Sequence, residues 1–273
     1  TLPLHDALPI LQLTGEPALQ LHALLAPHLG GTGRGNRAAV DEYRGRRILW
    51  ADQGPFGLAL AAVDDRQRDA LGEASAGYSG SSDGWQDFNR HGCMRWQYRS
   101  AGPGNIALTA ALPRQCVLAL GFGSSREAAA TLALSSLRQP FEQVWDEQIR
   151  QWRAWHADCR LPDGMDRLPS KVRDLLRTSA MVLRTHCDQT FRGALVASLS
   201  VPWGEYAEER PGYHLVWPRD LVECAGALLA LGAECEAREI LRYLLATQRS
   251  DGSWYQNQWL GGNPYWEGIQ LDE

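Results

Sequence analysis

The first half of the chain carries short apolar stretches with the two-residue period of strands. "GNIALTAAL" alternates at Ile106, Leu108, Ala110 and Leu112, which is typical of a half-buried strand. "RRILWAD", "FGLALAAVD" and "CVLALGFG" are short apolar runs bounded by Gly, Asp or Pro, and "GYSGSSDGWQDF" between them has loop composition. The pattern predicts an antiparallel sheet or sandwich, and not strands that alternate with helices.

From Ser124 onward the apolar period becomes helical. Ser124 and Glu127 predict a capping box that begins a helix ending before Pro140. A second helix follows from Phe141, Val144, Trp145, Ile149, Trp152 and Trp155. A third presents one face made of Val172, Leu175, Leu176, Ser179, Val182, Leu183 and His186. After a long loop to Pro218, two more helices are predicted, the first ending at Gly232 and the second before Asp251.

These patterns predict the order of domains. Residues 11–123 are expected to form part of an amino-terminal β-sandwich domain, 124–166 a helical linker, and 167–273 the beginning of an all-α domain of paired helices in a bundle or toroid. Residues 1–10, "TLPLHDALPI", are close to an in-frame translation of a common sequencing-adapter oligonucleotide, and we interpret them as an artefact; the alternative is an ordinary strand entry. The true start would then be missing, which leaves the compartment open.

Composition excludes several classes of protein. The chain has 273 residues, 44% hydrophobic content and a net charge of −5, which argues against a nucleic-acid partner. No apolar run approaches the roughly 20 residues of a membrane-spanning helix, so no membrane partner is predicted. The six cysteines form no Cys-x-x-Cys pair, so the sequence does not predict a zinc site. Whether any of the cysteines form disulfides is left open by the sequence. No cofactor is predicted, and no pattern indicates calcium.

Aromatic residues are concentrated in the predicted connections of the second half. Trp and Tyr present a flat apolar face and a polar edge, which suits the C–H faces and hydroxyl rim of a sugar. The alternative is that these rings fold down as lids on the core. The residues are Trp203, Tyr206, Tyr213, Trp217, Trp254, Tyr255, Trp259, Tyr265 and Trp266.

"GYHLVWPRDLVE" is the most informative stretch within this set. Pro218 is suited to the first turn of a helix, where its missing N–H costs nothing. Arg219 and Asp220 follow at once, and their complementary donors and acceptors are able to bracket vicinal hydroxyls. The alternative is that Asp220 only complements the helix dipole while Arg219 is solvated.

Several motifs resemble the glucoamylase family, glycoside hydrolase family 15. They are "GALVASLSVPWGE", "GYHLVWPRD", "LLATQRSDGSWYQNQWLGG" and "PYWEGIQLDE"; upstream, "GYSGSSDGWQDF" and "GNIALTAAL" resemble the amino-terminal domain of prokaryotic members. The resemblance covers nearly everything from Leu11 onward. It implies an antiparallel β-sandwich followed by an (α/α)6 toroid, here partial.

The resemblance also implies roles for individual residues. Arg219 and Asp220 would hold the terminal glucose by its hydroxyls, with Tyr213 and Trp217 lining that subsite. Trp266 matches a tryptophan that packs across the substrate, and Asp272 matches an acid close to that loop. These are the six residues that we predict to bind substrate.

The activity implied is inverting, exo-acting release of glucose from the non-reducing ends of starch-like α-glucans. Inverting enzymes need a general acid and a general base. The family's acidic motifs for this pair do not occur after Asp220, so both are expected beyond Glu273, and the chain itself is expected to be inactive. Three alternatives stay open: a glucodextranase or trehalase of the same family, a non-catalytic carbohydrate-binding protein, and a toroidal polysaccharide lyase.

Overall fold

The computed structural model describes residues 10–14, 19–159, 167–199 and 214–265. Within them the chain forms a β unit that ends at Glu147 and a helical unit that begins at Gln148. The strands are β1 (Ile10–Thr14), β2 (Leu21–Leu25), β3 (Asn36–Tyr43), β4 (Arg46–Gln53), β5 (Phe56–Val63), β6 (Ala74–Tyr78), β7 (Ser100–Gly104), β8 (Ile106–Leu112) and β9 (Gln115–Gly123). The helices are α1 (Gly84–His91), α2 (Arg126–Ser136), α3 (Phe141–Asp158), α4 (Ser170–Thr185), α5 (Pro218–Ala230) and α6 (Glu234–Thr247).

Two antiparallel sheets form the β unit. The larger has the strand order β1-β9-β5-β4-β3-β7, and the smaller has the order β2-β8-β6. Their facing sides share one core, in which Leu49, Leu58 and Leu118 of the large sheet join Ile106 and Leu108 of the small one. The predicted antiparallel β-sandwich is therefore confirmed.

Strand β8 is buried on both of its faces, and the prediction of a half-buried strand was wrong. Ile106 and Leu108 point into the sandwich core, as the alternation predicted. Ala107 and Thr109, on the opposite face, are also buried. Helix α1 covers that face so closely that a Cβ added to Gly84 would lie 2.3 Å from Thr109 Oγ1.

Helix α1 begins inside "GYSGSSDGWQDF", which was predicted to be a loop, and continues past it to His91. Asp83 caps the helix, because its carboxylate accepts a 3.0 Å hydrogen bond from Gln86 N. Asp87 is buried and accepts from Arg95 N and Trp96 N at 2.7 Å each. Burial acts to raise the pKa of Asp87, but bonds from Trp96, His91 and Arg95 outweigh it and hold the pKa below its ordinary value. The helix is only eight residues long and its buried residues are Gly84 and Asp87, so no buried apolar face reveals it in the sequence.

Helix α2 begins one residue later than its predicted capping box. Ser125, and not Ser124, is the cap, and its Oγ accepts from Ala128 N at 3.1 Å. Ala129 and Ala133 are fully buried against the outer face of the large sheet, which includes Ile48. This helix therefore adds a third layer to the β unit, while the predicted domain boundaries stay a prediction.

Glycines allow the backbone of α2 to touch the sheet. A Cβ built on Gly121 of β9 would lie 2.1 Å from the carbonyl oxygen of Ala129. At Gly57 of β5 it would lie 2.4 Å from the carbonyl oxygen of Ser125. No side chain fits between helix and strand at these two points.

Helices α3 to α6 form the core of the helical unit, which includes Trp155, Ala180, Leu221, Leu228 and Ile240. Helix α4 packs differently from its predicted face. Its buried residue is Ala180, whereas Leu175 and Val182 are 66% and 49% exposed. Apolar side chains of α5 and α6 are also exposed: Val222, Leu229, Leu241 and Leu245.

A charged cluster ties α3, α4 and α6 together. One carboxylate oxygen of Glu236 accepts from Trp155 Nε1 at 2.5 Å and from Arg184 Nη1 at 2.7 Å. The Arg184 guanidinium also lies over the Trp155 ring, 4.7 Å from its centre. Each of the three side chains thus contacts both of the others, which fixes the three helices at one point.

Three further observations bear on chemistry. No helix in the described ranges is long and apolar enough to cross a membrane. Within the same ranges no three His, Cys, Asp or Glu side chains are grouped to hold a metal ion. The six cysteines all lie in described parts of the chain and are free thiols, and burial raises the pKa of Cys187 to about 11.

Gly121→Ala is expected to lower the free energy of unfolding by about 1–3 kcal/mol, because the new methyl group pushes α2 away from β9. Gly226→Ala is the matched control, since nothing lies within 4 Å of a Cβ at this helical position. It is expected to be neutral or to stabilise by up to about 1 kcal/mol. Urea titration followed by circular dichroism measures both. Equal effects of the two substitutions would rule out the close approach as the cause.

Glu236→Ala is expected to destabilise the chain by about 1–2 kcal/mol, because it leaves Trp155 Nε1 and Arg184 without their shared acceptor. Glu239→Ala on the same helix removes a more exposed ion pair to Arg242, 2.7 Å long, and is the control. Its expected effect is below about 0.5 kcal/mol. Thermal unfolding of the two variants side by side is the measurement, and a larger loss for Glu239→Ala would contradict the proposed cluster.

Candidate functional site

The candidate site lies at the amino end of α5. Pro218 is the first helical residue, and the helix begins with a 2.9 Å hydrogen bond from Leu221 N to the carbonyl oxygen of Trp217. Arg219 and Asp220 occupy the first turn and are exposed, while Trp217 is half-buried. The polar groups of this turn are therefore presented to solvent beside a partly covered aromatic ring.

The structure covers half of the predicted binding residues. Trp217, Arg219 and Asp220 lie together at the start of α5. Tyr213, Trp266 and Asp272 fall outside the described residues. Their roles, like those of the other three, stay a prediction.

Extended segments of the long connections lie side by side next to this helix start. Ala197 N donates to the carbonyl oxygen of Leu215 at 2.9 Å. Val216 and Gln258 exchange two backbone hydrogen bonds of 2.9 Å, and Gln258 also pairs with Pro264. The "VAS", "HLVW" and "NQW" segments quoted from the sequence are thus neighbours in space.

Asp220 lies where a negative charge is favourable. The first turn of a helix exposes unpaired N–H groups and the positive end of the helix dipole. One turn later, burial raises the pKa of the Cys224 thiol, and the charges of Asp220 and Glu223 raise it further. Cys224 therefore stays protonated at neutral pH and is a poor nucleophile. The chemistry that this turn offers is hydrogen bonding by Arg219 and Asp220.

The loop aromatics divide into two kinds. Trp254 is a lid on the core, since its Nε1 donates to the carbonyl oxygen of Leu244 at 2.9 Å. Trp259 and Tyr265 instead form an edge-to-face pair with ring centres 5.5 Å apart, on the chain beside Gln258. The interpretation as a lid on the core therefore applies to Trp254, and sugar contact by the other loop aromatics stays a prediction.

Sequence reasoning missed Gln258. Its side chain is fully buried and donates from Nε2 to the Tyr243 hydroxyl at 3.1 Å. A single glutamine between Asn257 and Trp259 has no periodic signature, so no pattern in the sequence distinguishes it from its exposed neighbour Gln256.

The loop after α4 packs directly on α6. Gly193 has a φ of 88°, and a Cβ added to it would lie 2.1 Å from the carbonyl oxygen of Glu239. Ala194 and Leu195, which follow, are buried in the helical core. This contact places the "VAS" segment against the chain that leads into α5.

Comparison with known proteins gives matches to two family models and to two related sequences. Residues 8–157 match the family described as glucodextranase, domain N, and residues 170–259 match glycosyl hydrolases family 15. The chain is 31% identical over 260 residues to a glucoamylase of Clostridium sp. (strain G0005). The aligned region covers 93% of this chain and 35% of that protein. The chain is 28% identical over 104 residues to an uncharacterized glycosyl hydrolase of Methanocaldococcus jannaschii, covering 38% of this chain and 15% of that protein.

A solved structure also matches this chain. The crystal structure of a bacterial glucoamylase complexed with acarbose matches with a TM-score of 0.78 and 31% identity, over 93% of this chain and 37% of that one. Fold and matches define the class: the chain has the amino-terminal β-sandwich and part of the (α/α)6 toroid of bacterial glucoamylases. Within this class, the chain belongs to glycoside hydrolase family 15, in the group that carries a glucodextranase-type amino-terminal domain. The chain spans about a third of the length of the glucoamylases that it matches.

Gly193→Ala is expected to destabilise the helical unit by about 1–3 kcal/mol, because the methyl group meets the α6 backbone and the residue has a positive φ. Gly261→Ala is the control, since its Cβ would be 3.7 Å from the Phe191 ring, an ordinary contact. Its expected effect is within about 0.5 kcal/mol. Tryptophan fluorescence during urea unfolding reports both, and a Gly193→Ala midpoint equal to wild type would disprove the close packing.

Proposed function

We propose that this chain is the glucose-holding part of an inverting, exo-acting α-glucan glucohydrolase. The observation that carries the proposal is the placement of Arg219 and Asp220 in the exposed first turn of α5, next to Trp217. The family membership supports it, as does the glucoamylase complexed with acarbose that the chain resembles.

The chemistry of the pair suits a terminal sugar. Arg219 carries only donors and Asp220 only acceptors, so together they satisfy both the oxygen and the hydrogen of adjacent hydroxyl groups. Hydrogen bonds in which one partner is charged are shorter and stronger than neutral ones. Trp217 offers an apolar ring face to the C–H face of the same sugar. Tyr213, Trp266 and Asp272 are proposed to complete the subsite.

In this proposal the chain binds the sugar, and cleavage requires two further carboxylates. Inversion needs an acid and a base about 6.5–9.5 Å apart, so that a water molecule fits between base and sugar. We assign neither role to a residue of this chain. The general acid and general base are proposed to lie outside its sequence, and the 273-residue chain is proposed to release no glucose on its own.

A second candidate is hydrolysis of α-1,6 links. The match of residues 8–157 to the amino-terminal domain of glucodextranase favours it. Glucose release from maltotriose compared with isomaltotriose, by a longer protein that contains this chain, distinguishes the two. A protein that binds both sugars and cleaves neither would instead support the non-catalytic alternative.

Asp220→Asn is expected to weaken acarbose binding to the 273-residue chain roughly 10- to 100-fold, because it replaces a charged acceptor of sugar hydroxyls by a neutral amide. Glu223→Gln, an exposed position one turn later on α5, is the control and should bind as wild type does. Isothermal titration calorimetry measures the affinities. Unchanged affinity of Asp220→Asn would contradict the assigned role, and glucose release from maltotriose by the chain alone would overturn the proposal that acid and base lie elsewhere.

A further inference from the structure

Gln258 is an unusual residue to find fully buried. Its side chain lies among Val216, Tyr243 and the apolar core of the helical unit, with 0% of its surface exposed. Glutamine is mostly a surface residue, because removing its amide from water is costly unless both ends are paired. In Gln258 the Nε2 end is paired, while Oε1 is buried without a hydrogen-bond partner among the described residues. A leucine or methionine of similar size would fill the same space, so the amide calls for a specific explanation.

Hydrogen bonds fix the orientation of this amide. The Tyr243 hydroxyl donates its one hydrogen to the carbonyl oxygen of Leu260 at 3.0 Å. Its oxygen must therefore act as the acceptor in the 3.1 Å contact with Gln258, which assigns Nε2 to that position. Burial raises the pKa of Tyr243, which keeps the hydroxyl protonated and able to donate. One hydroxyl of α6 thus holds the loop at two residues.

The backbone of Gln258 transmits this anchor to α5. Gln258 N donates to the carbonyl oxygen of Val216, and Val216 N donates back, each at 2.9 Å. Val216 is fully buried and is followed by Trp217, whose carbonyl oxygen accepts the first hydrogen bond of the helix. Only Trp217 and Pro218 therefore separate Val216, the partner of Gln258, from Arg219, and Asp220 follows directly.

The other hydrogen bonds of the loop that follows α6 do not involve Val216. Trp259 N donates to the carbonyl oxygen of Asn263, and Gly262 N donates to that of Trp259, both at 2.8 Å, which closes the turn on itself. Trp254 attaches the beginning of the loop to Leu244. Neither contact reaches Val216. The neighbouring Leu215 is bonded to Ala197, in the loop that packs on α6 at Gly193, whereas Val216 itself is tied to α6 through Gln258 and Tyr243.

We infer that Gln258 is a positioning residue for the sugar site, acting with Tyr243. The inference rests on the proposed function of Arg219 and Asp220. The buried amide holds the Val216–Gln258 backbone pair in register, and this pair sets where α5 begins and how Trp217, Arg219 and Asp220 face the sugar. Gln258 itself does not touch the substrate.

Tyr243→Phe and Gln258→Met test the inference in the 273-residue chain. Each removes the tie and keeps the volume. Amide hydrogen exchange, resolved to single residues by NMR, is expected to speed up by about tenfold or more at Val216 and Gln258, while amides in the middle of α6 keep their rates. Gln256→Met, an exposed neighbour in the same loop, is the control and should leave both amides protected. Unchanged exchange at Val216 and Gln258 in folded Tyr243→Phe would overturn the inference.

Acarbose affinity separates positioning from general stability. Tyr243→Phe is expected to raise the dissociation constant about 5- to 10-fold at a temperature where the variant is folded. Glu236→Ala, which weakens the helical unit at another point, should lower the melting temperature without changing the affinity. An equal affinity loss in Glu236→Ala would show that Gln258 and Tyr243 act through stability alone and would refute positioning. If wild type binds no acarbose, the proposed function fails, whereas the exchange rates still decide whether Gln258 fixes the start of α5.

Discussion

Buried backbone groups of the connecting chain must find hydrogen-bond partners, and the helical unit is organised around this requirement. Extended chain has no internal ladder, so its N–H and C=O groups need neighbours when water is excluded. Here the connections pair with one another: Ala197 with Leu215, and Val216 with Gln258. The pairing that satisfies the backbone also decides where α5 starts. The geometry at the start of α5 is thus a consequence of backbone pairing between segments that lie 18 and 42 positions apart in the chain.

The β unit meets a different requirement, the close packing of a helix on a sheet. Its large sheet is covered on one face by the small sheet and on the other by the alanine side of α2. Small residues at Gly57 and Gly121 let the helix backbone approach the strands without a side chain between them. In the helical unit Gly193 has the same effect where a loop meets α6. Both units therefore depend on a few positions where size, and not polarity, is decisive.

Sequence patterns predicted the elements whose side chains alternate or repeat, and missed those stabilised by polar contacts. The alternation in β8 and the amphipathic period of α3 gave the right elements. Helix α1 was missed because its buried groups are the carboxylates of Asp83 and Asp87, which an apolar pattern does not register. At the site, the motif placed Trp217, Arg219 and Asp220 at a helix start, since Pro218 marks that position. Gln258 stayed hidden, because its role depends on Tyr243 and Val216, which no spacing rule connects to it.

The strand order of the two sheets also determines when the β-sandwich can be completed during synthesis. β9 lies between β1 and β5, and β8 is the middle strand of the small sheet, yet these are the last two strands to be made. Roughly 100 residues must follow β1 before its partner strand leaves the ribosome, and non-local pairing of this kind is slow to form. Until then β1 has no partner in the large sheet and the small sheet lacks its middle strand, so β1, β2, β5 and β6 have unpaired edges. The β-sandwich is therefore completed late during translation, only after β8 and β9 have left the ribosome.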